Sequence, residues 1–274
     1  MINKILVPID FSRGSSAALH YAEAFAVAVD AELLKVIHVF SPQTATTASS
    51  VYVPSMEDLM HERDQQLSTF LEQNPAPAGL RRTSELLLGF AADKIIAEGE
   101  HFDLIILGTD GETDLLEEVF GSVSSAVAQK ANAPVLLVPN KARFKDYQHV
   151  LYASNSLSLS RNAVVKFKAF NQLFDARVHF VHVNDEAGTP EPGEREALFA
   201  PLFSNPDPEF AFELHEVNAD TVQEGLSNYL NRYPIDLAVM VTKRRGFWER
   251  LFHHSETRQM VLHPETAMLI LHQG

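Results

Sequence analysis

The chain has 274 residues, of which 46% are hydrophobic and 21% are charged, a composition typical of folded domains and a length that suits about two of them. Acidic side chains outnumber basic ones by 36 to 22, which gives a net charge of −14, the wrong sign for a protein that binds nucleic-acid backbones. The absence of cysteine excludes disulfides and thiolate chemistry.

Neither membrane insertion nor export is expected from the apolar pattern. No stretch approaches the ~20 consecutive apolar residues of a spanning helix. The segment Met1–Asp10 is too short for the apolar core of a secretory signal and has the pattern of a strand. We therefore expect a cytoplasmic protein that has neither a membrane nor a nucleic acid as its partner.

Short β-branched segments alternate with longer segments of helical periodicity in the first half of the chain. Strands are predicted at 4–10, 36–39, 84–88, 103–107 and 135–138, and helices at 13–29, 56–73, 91–100 and 122–131. Ser55 is a suitable N-cap for the second helix, and the segment Asn74–Pro77 ends it. This alternation predicts an α/β fold with a parallel, doubly wound sheet of five strands in the order 3-2-1-4-5.

Four strand-like segments recur in the same order in the second half. The pairs are Lys4–Asp10 with His149–Asn155, Val36–Val39 with Phe180–Val183, Asp103–Leu107 with Asp236–Met240, and Pro134–Val138 with Ala267–Leu271. We interpret them as a unit of about 140 residues that is present in tandem. Residues 1–140 and 147–274 are then two domains, and Lys141, Arg143 and Lys145 lie in the linker between them.

The fifth strand of each predicted sheet lies at an edge. Segments 134–139 and 267–272 are mainly apolar, and an exposed edge of that kind associates with other chains unless it is covered. We expect these two strands to pair antiparallel about a pseudo-twofold axis, which makes the tandem chain an internal pseudo-dimer. A further homodimer is left open.

The ends of the first and fourth strands carry the residues best suited to hold a ligand. In doubly wound sheets, ligands bind beyond the carboxyl ends of the strands, where the strand order reverses. Asp10 ends the first strand, and Ser124 lies in the helix that follows the fourth. Between them, the spacing G-x2-G-x9-G-S is formed by Gly108, Gly111, Gly121 and Ser122. Glycines permit close approach and helix N-termini favour phosphate, although turn glycines and a helix cap give the same pattern without a ligand.

This spacing, together with Val7–Asp10 and Ala133–Pro139, resembles the universal stress protein family in its tandem form, and it is the pattern of the family's ATP-binding members. The resemblance covers nearly the whole chain. It implies nucleotide binding and stress adaptation rather than a defined catalytic turnover. It also implies that Asp10 and Gly108 hold the ribose and that the backbone near Val39 meets adenine. The residues around the phosphates would be Gly111, Gly121, Ser122, Val123 and Ser124.

The loop at residues 108–121 is acidic and has no Lys or Arg. Its five acids are Asp110, Glu112, Asp114, Glu117 and Glu118. Such charges repel phosphates, so either magnesium or Arg13 offsets them, or the acids point outward. The expected ligand is an adenine nucleotide, ATP or else ADP or AMP, and magnesium is the cation to test with it.

The second half departs from the glycine pattern. Asn155 stands in the place of Asp10, and the replacements for Gly108, Gly111 and Gly121 are Val241, Arg244 and His254; Ser255 matches Ser122. We expect this half to have lost the nucleotide site. Its loop at 243–258 is basic, which is typical of a solvated loop but also suits an anion site, a partner site or a surface that faces the acidic loop.

Two kinds of site are not predicted. His253 and His254 are adjacent, His38 and His182 lie within strands, and no HExxH spacing occurs, so we expect no metal site. No general base can be assigned, so we expect no catalytic residue and at most a slow ATPase. The sequence therefore predicts a nucleotide-binding regulatory protein with one competent site and an unidentified protein partner. The alternative is a protein-interaction module whose glycine loop is a structural remnant.

Overall fold

The computed structural model describes residues 2–41, 55–109, 121–154, 161–184, 210–242 and 265–272. In the first half the elements are β1 (Lys4–Ile9), α1 (Arg13–Ala28), β2 (Leu33–Phe40), α2 (Met56–Gln73), β3 (Arg82–Leu88), α3 (Ala91–Gly99), β4 (Leu104–Gly108), α4 (Ser122–Lys130) and β5 (Val135–Val138). In the second half they are β6 (His149–Ser154), α5 (Arg161–Asn171), β7 (Arg177–Asn184), β8 (Phe212–Asn218), α6 (Val222–Arg232), β9 (Leu237–Thr242) and β10 (Ala267–His272).

Local capping chemistry fixes the bounds of α2 where the sequence predicts them. The Ser55 hydroxyl accepts from the Asp58 amide at 3.1 Å, and the Asp58 carboxylate accepts from the Ser55 amide at 3.1 Å, so the two form a capping box. Asn74 is the C-cap. By contrast, β2 begins at Leu33, earlier than predicted, because Leu33 and Leu34 extend the ladder with β1 beyond the β-branched segment.

All ten described strands form one sheet, in the order β3-β2-β1-β4-β5-β10-β9-β6-β7-β8. Each half therefore has the predicted strand order, and its strands are parallel. The halves join at an antiparallel seam between β5 and β10, where Leu137 pairs with Met268 and Val135 pairs with Ile270. This confirms that the two fifth strands cover each other's edges in an internal pseudo-dimer.

The core lies on both faces of the sheet. One face of the first half packs against α1 and α2 through residues such as Phe25 and Leu67. The opposite face packs against α3 and α4 through Ile95 and Val127. Strands that are covered on both faces are apolar almost throughout, as in β5 and β10.

The repeat is visible in one detail of hydrogen bonding that occurs twice. The Asp103 carboxylate accepts from the amides of Asn3 and Lys4 at 2.8 and 2.9 Å. In the second half, the Asp236 carboxylate accepts at the same two distances from the backbone amides of Gln148, which precedes β6, and His149, which begins it. Each aspartate thus fastens the start of a central strand to the turn before the neighbouring strand.

The segment between the halves contributes buried side chains to the core, although its three basic residues are exposed. Tyr147 and Ala142 are buried. An aromatic cluster, which we call the junction cluster, surrounds Tyr147 and is formed by Phe25, Phe144, Tyr147, Phe170 and Phe174. Because Phe25 belongs to α1 and Phe170 to α5, this cluster ties the two halves together.

None of the helices in the described ranges combines the length and the apolar character that a bilayer crossing requires.

Candidate functional site

The candidate site lies at the carboxyl edge of the first half, where β1 is flanked by β2 on one side and β4 on the other. Chains leave neighbouring strands in opposite directions at such a point, and this opens a crevice. Asp10 follows β1 directly, Gly108 ends β4, and Val39 is the penultimate residue of β2. The fold therefore brings three of the predicted site residues to one edge.

Asp10 retains hydrogen-bonding capacity for a ligand. Its side chain is partly exposed, and its Oδ1 atom accepts from the Ser12 amide at 3.1 Å. An ionised carboxylate has about four acceptor positions on two oxygens. A second acceptor is therefore available for a hydroxyl donor such as a ribose.

The turn after Asp10 has an unusual backbone that the sequence does not reveal. Phe11 has a φ of 64°, a left-handed conformation that costs a non-glycine residue energy. Its ring packs against His38 with centroids 4.3 Å apart. His38 is buried, as predicted, and its Nδ1 donates to the Ile9 carbonyl at 2.9 Å. These contacts hold the turn in its strained form and fix the position of Asp10.

Gly108 has a packing role of its own. A β-carbon at this position would lie 2.7 Å from the Gly14 carbonyl oxygen and 2.8 Å from its carbonyl carbon, closer than any side chain tolerates. The absence of a side chain lets the first turn of α1 lie against the end of β4. This explains the glycine without a ligand, and it also sets α1 close to the crevice.

The loop that follows β4 is closed at its base. The Gly121 amide donates to the Thr109 carbonyl at 2.8 Å. The Ser124 hydroxyl is buried and donates to the Gly121 carbonyl at 2.9 Å, with the Thr109 carbonyl at 3.3 Å. The loop therefore leaves and returns at one point. Because a hydroxyl has a single hydrogen, Ser124 in this geometry serves the backbone.

The N-terminus of α4 faces the same edge and has no side-chain cap. Gly121 is the N-cap residue and makes no side-chain hydrogen bond. The first amides of a helix have no partner within the helix and attract anions. Ser122 is exposed and Val123 is half-buried, so a ligand can reach this turn from solvent.

Val39 is half-buried and pairs with Leu87 of β3. Its backbone lies at the carboxyl edge, where the resemblance places adenine. Gly111, the acidic side chains from Asp110 to Glu118 and the basic loop at 243–258 lie outside the described residues, as do Asn155, Arg244, His254 and Ser255.

In the second half, Val241 takes the place of Gly108. It lies in β9, where it pairs with Ser154 of β6 and Leu271 of β10. Its side chain is buried in the core. The close approach of a helix that Gly108 permits in the first half therefore meets a branched side chain here.

The first half is a doubly wound α/β unit with a glycine-rich segment where the strand order reverses, and proteins of this class bind their ligands at that point. The Universal stress protein family model matches residues 1–139, and the chain belongs to this family. Two curated relatives are similar over about half of the chain. Universal stress protein YxiE of Bacillus subtilis is 34% identical and aligns over 50% of this chain and 99% of its own length. Universal stress protein MJ0577 of Methanocaldococcus jannaschii is 29% identical and aligns over 52% and 97%.

Some solved structures match both halves together. A universal stress protein from Archaeoglobus fulgidus superposes with a TM-score of 0.70 over 99% of this chain and 97% of its own length, at 17% identity. That likeness extends the fold of the family across the second half.

Proposed function

We propose that this chain is a regulatory protein of the universal stress protein family that binds one adenine nucleotide in its first half. The observation that carries the proposal is the convergence, at one sheet edge, of the Asp10 carboxylate and the uncapped N-terminus of α4. The first group accepts from sugar hydroxyls and the second favours phosphate.

The assignment of parts follows the family resemblance, and the position of Asp10, Gly108 and Val39 at one sheet edge supports it. Asp10 and Gly108 would hold the ribose, the backbone at Val39 would meet the base, and the amides of Ser122 and Val123 would meet phosphate. Gly111, Gly121 and Ser124 would complete the phosphate site, with Ser124 shaping the loop from beneath. ATP is the expected ligand, with ADP or AMP as the alternatives, because the acidic loop at 108–121 repels a shorter phosphate chain less.

The proposal assigns different roles to the two halves. Residues 1–140 form the nucleotide-binding domain, and residues 147–274 form a domain whose switch point no longer accepts a nucleotide. The buried side chain of Val241 in the place of Gly108 supports this difference. We place the protein in the cytoplasm, where the nucleotide is abundant, and we expect a protein partner to receive the signal.

The first test is to identify the small molecules that freshly purified protein releases on denaturation, followed by calorimetric titration with ATP. One site per chain is expected. Gly121→Arg fills the phosphate region and is expected to abolish binding. Because Gly121 has a φ of −61°, this variant needs no change of backbone. The matched control is Val241→Ala, which is expected to leave the stoichiometry at one.

The alternative function is a protein-interaction module whose glycine loop is only structural. Two observations favour it: Gly108 is explained by its contact with Gly14, and the Ser124 hydroxyl is occupied by backbone carbonyls. An ATP titration that shows no heat and a release experiment that yields no nucleotide would select this alternative. Two equivalent nucleotide sites per chain would contradict both functions, because each of them assumes that the second half binds no nucleotide.

A further inference from the structure

A polar cluster of the second half lies outside the candidate nucleotide site. It consists of His149 at the start of β6, His179 in β7, and Glu213 and His215 in β8. These strands are neighbours, and His179 is in register with Glu213. We call this group the histidine cluster.

The members of the histidine cluster are joined by hydrogen bonds. His149 Nδ1 lies 2.9 Å from His179 Nε2, and His215 Nε2 lies 3.1 Å from a carboxylate oxygen of Glu213. The rings of His179 and His215 are stacked, with an interplanar angle of 11° and centroids 5.6 Å apart. Three imidazoles and one carboxylate therefore converge from three strands.

This set of donors suits a transition metal. One ligand atom from each of His179, Glu213 and His215 can be chosen so that all three lie within 4.8 Å of one another. Imidazole nitrogens and a carboxylate oxygen are ordinary zinc ligands, with metal–ligand distances of about 2.0–2.2 Å.

The surroundings of His179 match those of a metal ligand. The ring is buried, and its Nδ1 lies 2.8 Å from the Tyr229 hydroxyl. Histidine ligands commonly use one nitrogen for the metal while a hydrogen bond to the other nitrogen fixes the ring orientation.

One cation competes with a metal for the cluster. Arg177 lies 3.1 Å from a Glu213 carboxylate oxygen, so an arriving ion must share or displace it. The Arg177 side chain is about half exposed, at 46%, and it can turn to solvent without leaving a buried charge. Glu213 and His215 are also partly exposed, at 42% and 23%, which gives an ion a path of entry.

We propose that His179, Glu213 and His215 bind a divalent metal ion of the zinc class, with His149, whose Nδ1 lies 2.9 Å from His179 Nε2, as the fourth ligand to test. The ion would cross-link β7 to the outermost strand β8 beneath α6, and it would be structural rather than catalytic. This differs from the expectation of no metal site, which was based on local spacing along the sequence. The ligands come from two strands, and only Glu213 and His215 are near each other in the sequence, so no short motif encodes the whole site.

The test uses the full chain without a histidine tag, after dialysis against a chelator. Titration with zinc sulfate is expected to give one tight site per chain and a raised melting temperature. Cobalt(II) at the same site is expected to show the visible absorption of tetrahedral coordination. Glu213→Gln and His215→Ala are each expected to weaken zinc binding about 100-fold, and Tyr229→Phe about tenfold, since outer partners tune affinity by about 10–100-fold.

The matched control is His61→Ala, which removes an exposed histidine from α2 and is expected to leave the affinity unchanged. The proposal is overturned if zinc binds the chain no more tightly than it binds the double variant Glu213→Gln/His215→Ala, or if His61→Ala weakens binding equally. Both substitutions of the double variant lie at partly exposed positions, and circular dichroism verifies that the variant is folded. In either case we would conclude that the histidine cluster is a hydrogen-bonded group that does not bind a metal.

Discussion

The hydroxyl oxygens of Tyr21 and Tyr147 lie 2.8 Å apart, and this hydrogen bond joins α1 to the segment that leads into the second half. Both side chains are buried. Burial raises the pKa of both Tyr21 and Tyr147 above the usual range of a phenol, so both stay protonated. Each hydroxyl is thus a buried polar group that depends on its partner.

A double-mutant cycle measures this dependence. Tyr21→Phe and Tyr147→Phe are each expected to lower the free energy of unfolding by about 1–3 kcal/mol, because each leaves one buried hydroxyl unpaired. The double variant is expected to lose less than the sum of the two, since neither hydroxyl then remains. Strict additivity in urea denaturation would mean that the two phenols do not stabilise each other.

The contact of Gly108 with Gly14 predicts a stability effect that is independent of any ligand. Gly108→Ala places a β-carbon against the backbone of α1 and is expected to cost about 1–3 kcal/mol, the usual cost of overpacking. Gly121→Ala is the control, since its backbone accepts any side chain. Equal melting temperatures for the two variants would argue against the close approach.

Glu23 and Arg82 form a buried ion pair, with side chains only 4% and 11% exposed. Arg82 also donates to the carbonyls of Asn74 and Leu71 at 2.6 and 3.1 Å, at the end of α2. Arg82→Met leaves the Glu23 carboxylate unpaired and is expected to cost about 3–5 kcal/mol. Glu23→Gln is expected to cost less, because Arg82 keeps its carbonyl partners. Chemical denaturation of both variants tests this order.

The same carboxylate gives a pH dependence of known sign. Burial raises the pKa of Glu23 more than Arg82 lowers it, so the folded state binds its proton more tightly than the unfolded chain does. The contribution to the free energy of unfolding therefore falls as the pH rises from the usual glutamate pKa through the raised one. Glu23→Gln is expected to remove this fall from the stability profile, while an exposed control, Glu57→Gln, keeps it.

The seam between β5 and β10 predicts the effect of a buried charge. Leu137 is fully buried and in register with Met268. Leu137→Lys places an unpaired ammonium group there and is expected to cost several kcal/mol. The measurement is calorimetric melting, which should lose its single cooperative transition or end in aggregation. A first half, residues 1–140, that stays monomeric at high concentration would show that β5 needs no partner.

Much of the fold could be predicted from two local features of the sequence: helix-capping residues and apolar strands at the sheet edges. The capping box at Ser55 fixes the start of α2. The fifth strand of each half is an apolar edge that must be covered, and in a tandem chain the other fifth strand is at hand to cover it. The strained turn at Phe11 could not be predicted, since nothing in its sequence distinguishes it from an ordinary turn. It depends on His38 and Phe70, which pack against its ring from distant segments.

For the candidate site, the sequence predicts which residues lie at one sheet edge but not how they are hydrogen-bonded. Asp10 and Gly108 meet at one edge because parallel strands end together. The inward hydrogen bonds of Ser124 depend on the carbonyls of Thr109 and Gly121, whose directions only the folded backbone defines. The histidine cluster was missed for a related reason. Apart from Glu213 and His215, its members are far apart in the chain, and strand register brings them together.

The antiparallel seam has a consequence for how the two halves can diverge. In separate subunits, such a pairing obeys mass action and weakens on dilution. Within one chain it is an intramolecular event at high effective concentration. A substitution on one side then has no symmetric copy on the other. Val241 can fill the core of the second half while Gly108 keeps its contact with α1 in the first. The two halves of one chain can therefore evolve different functions independently.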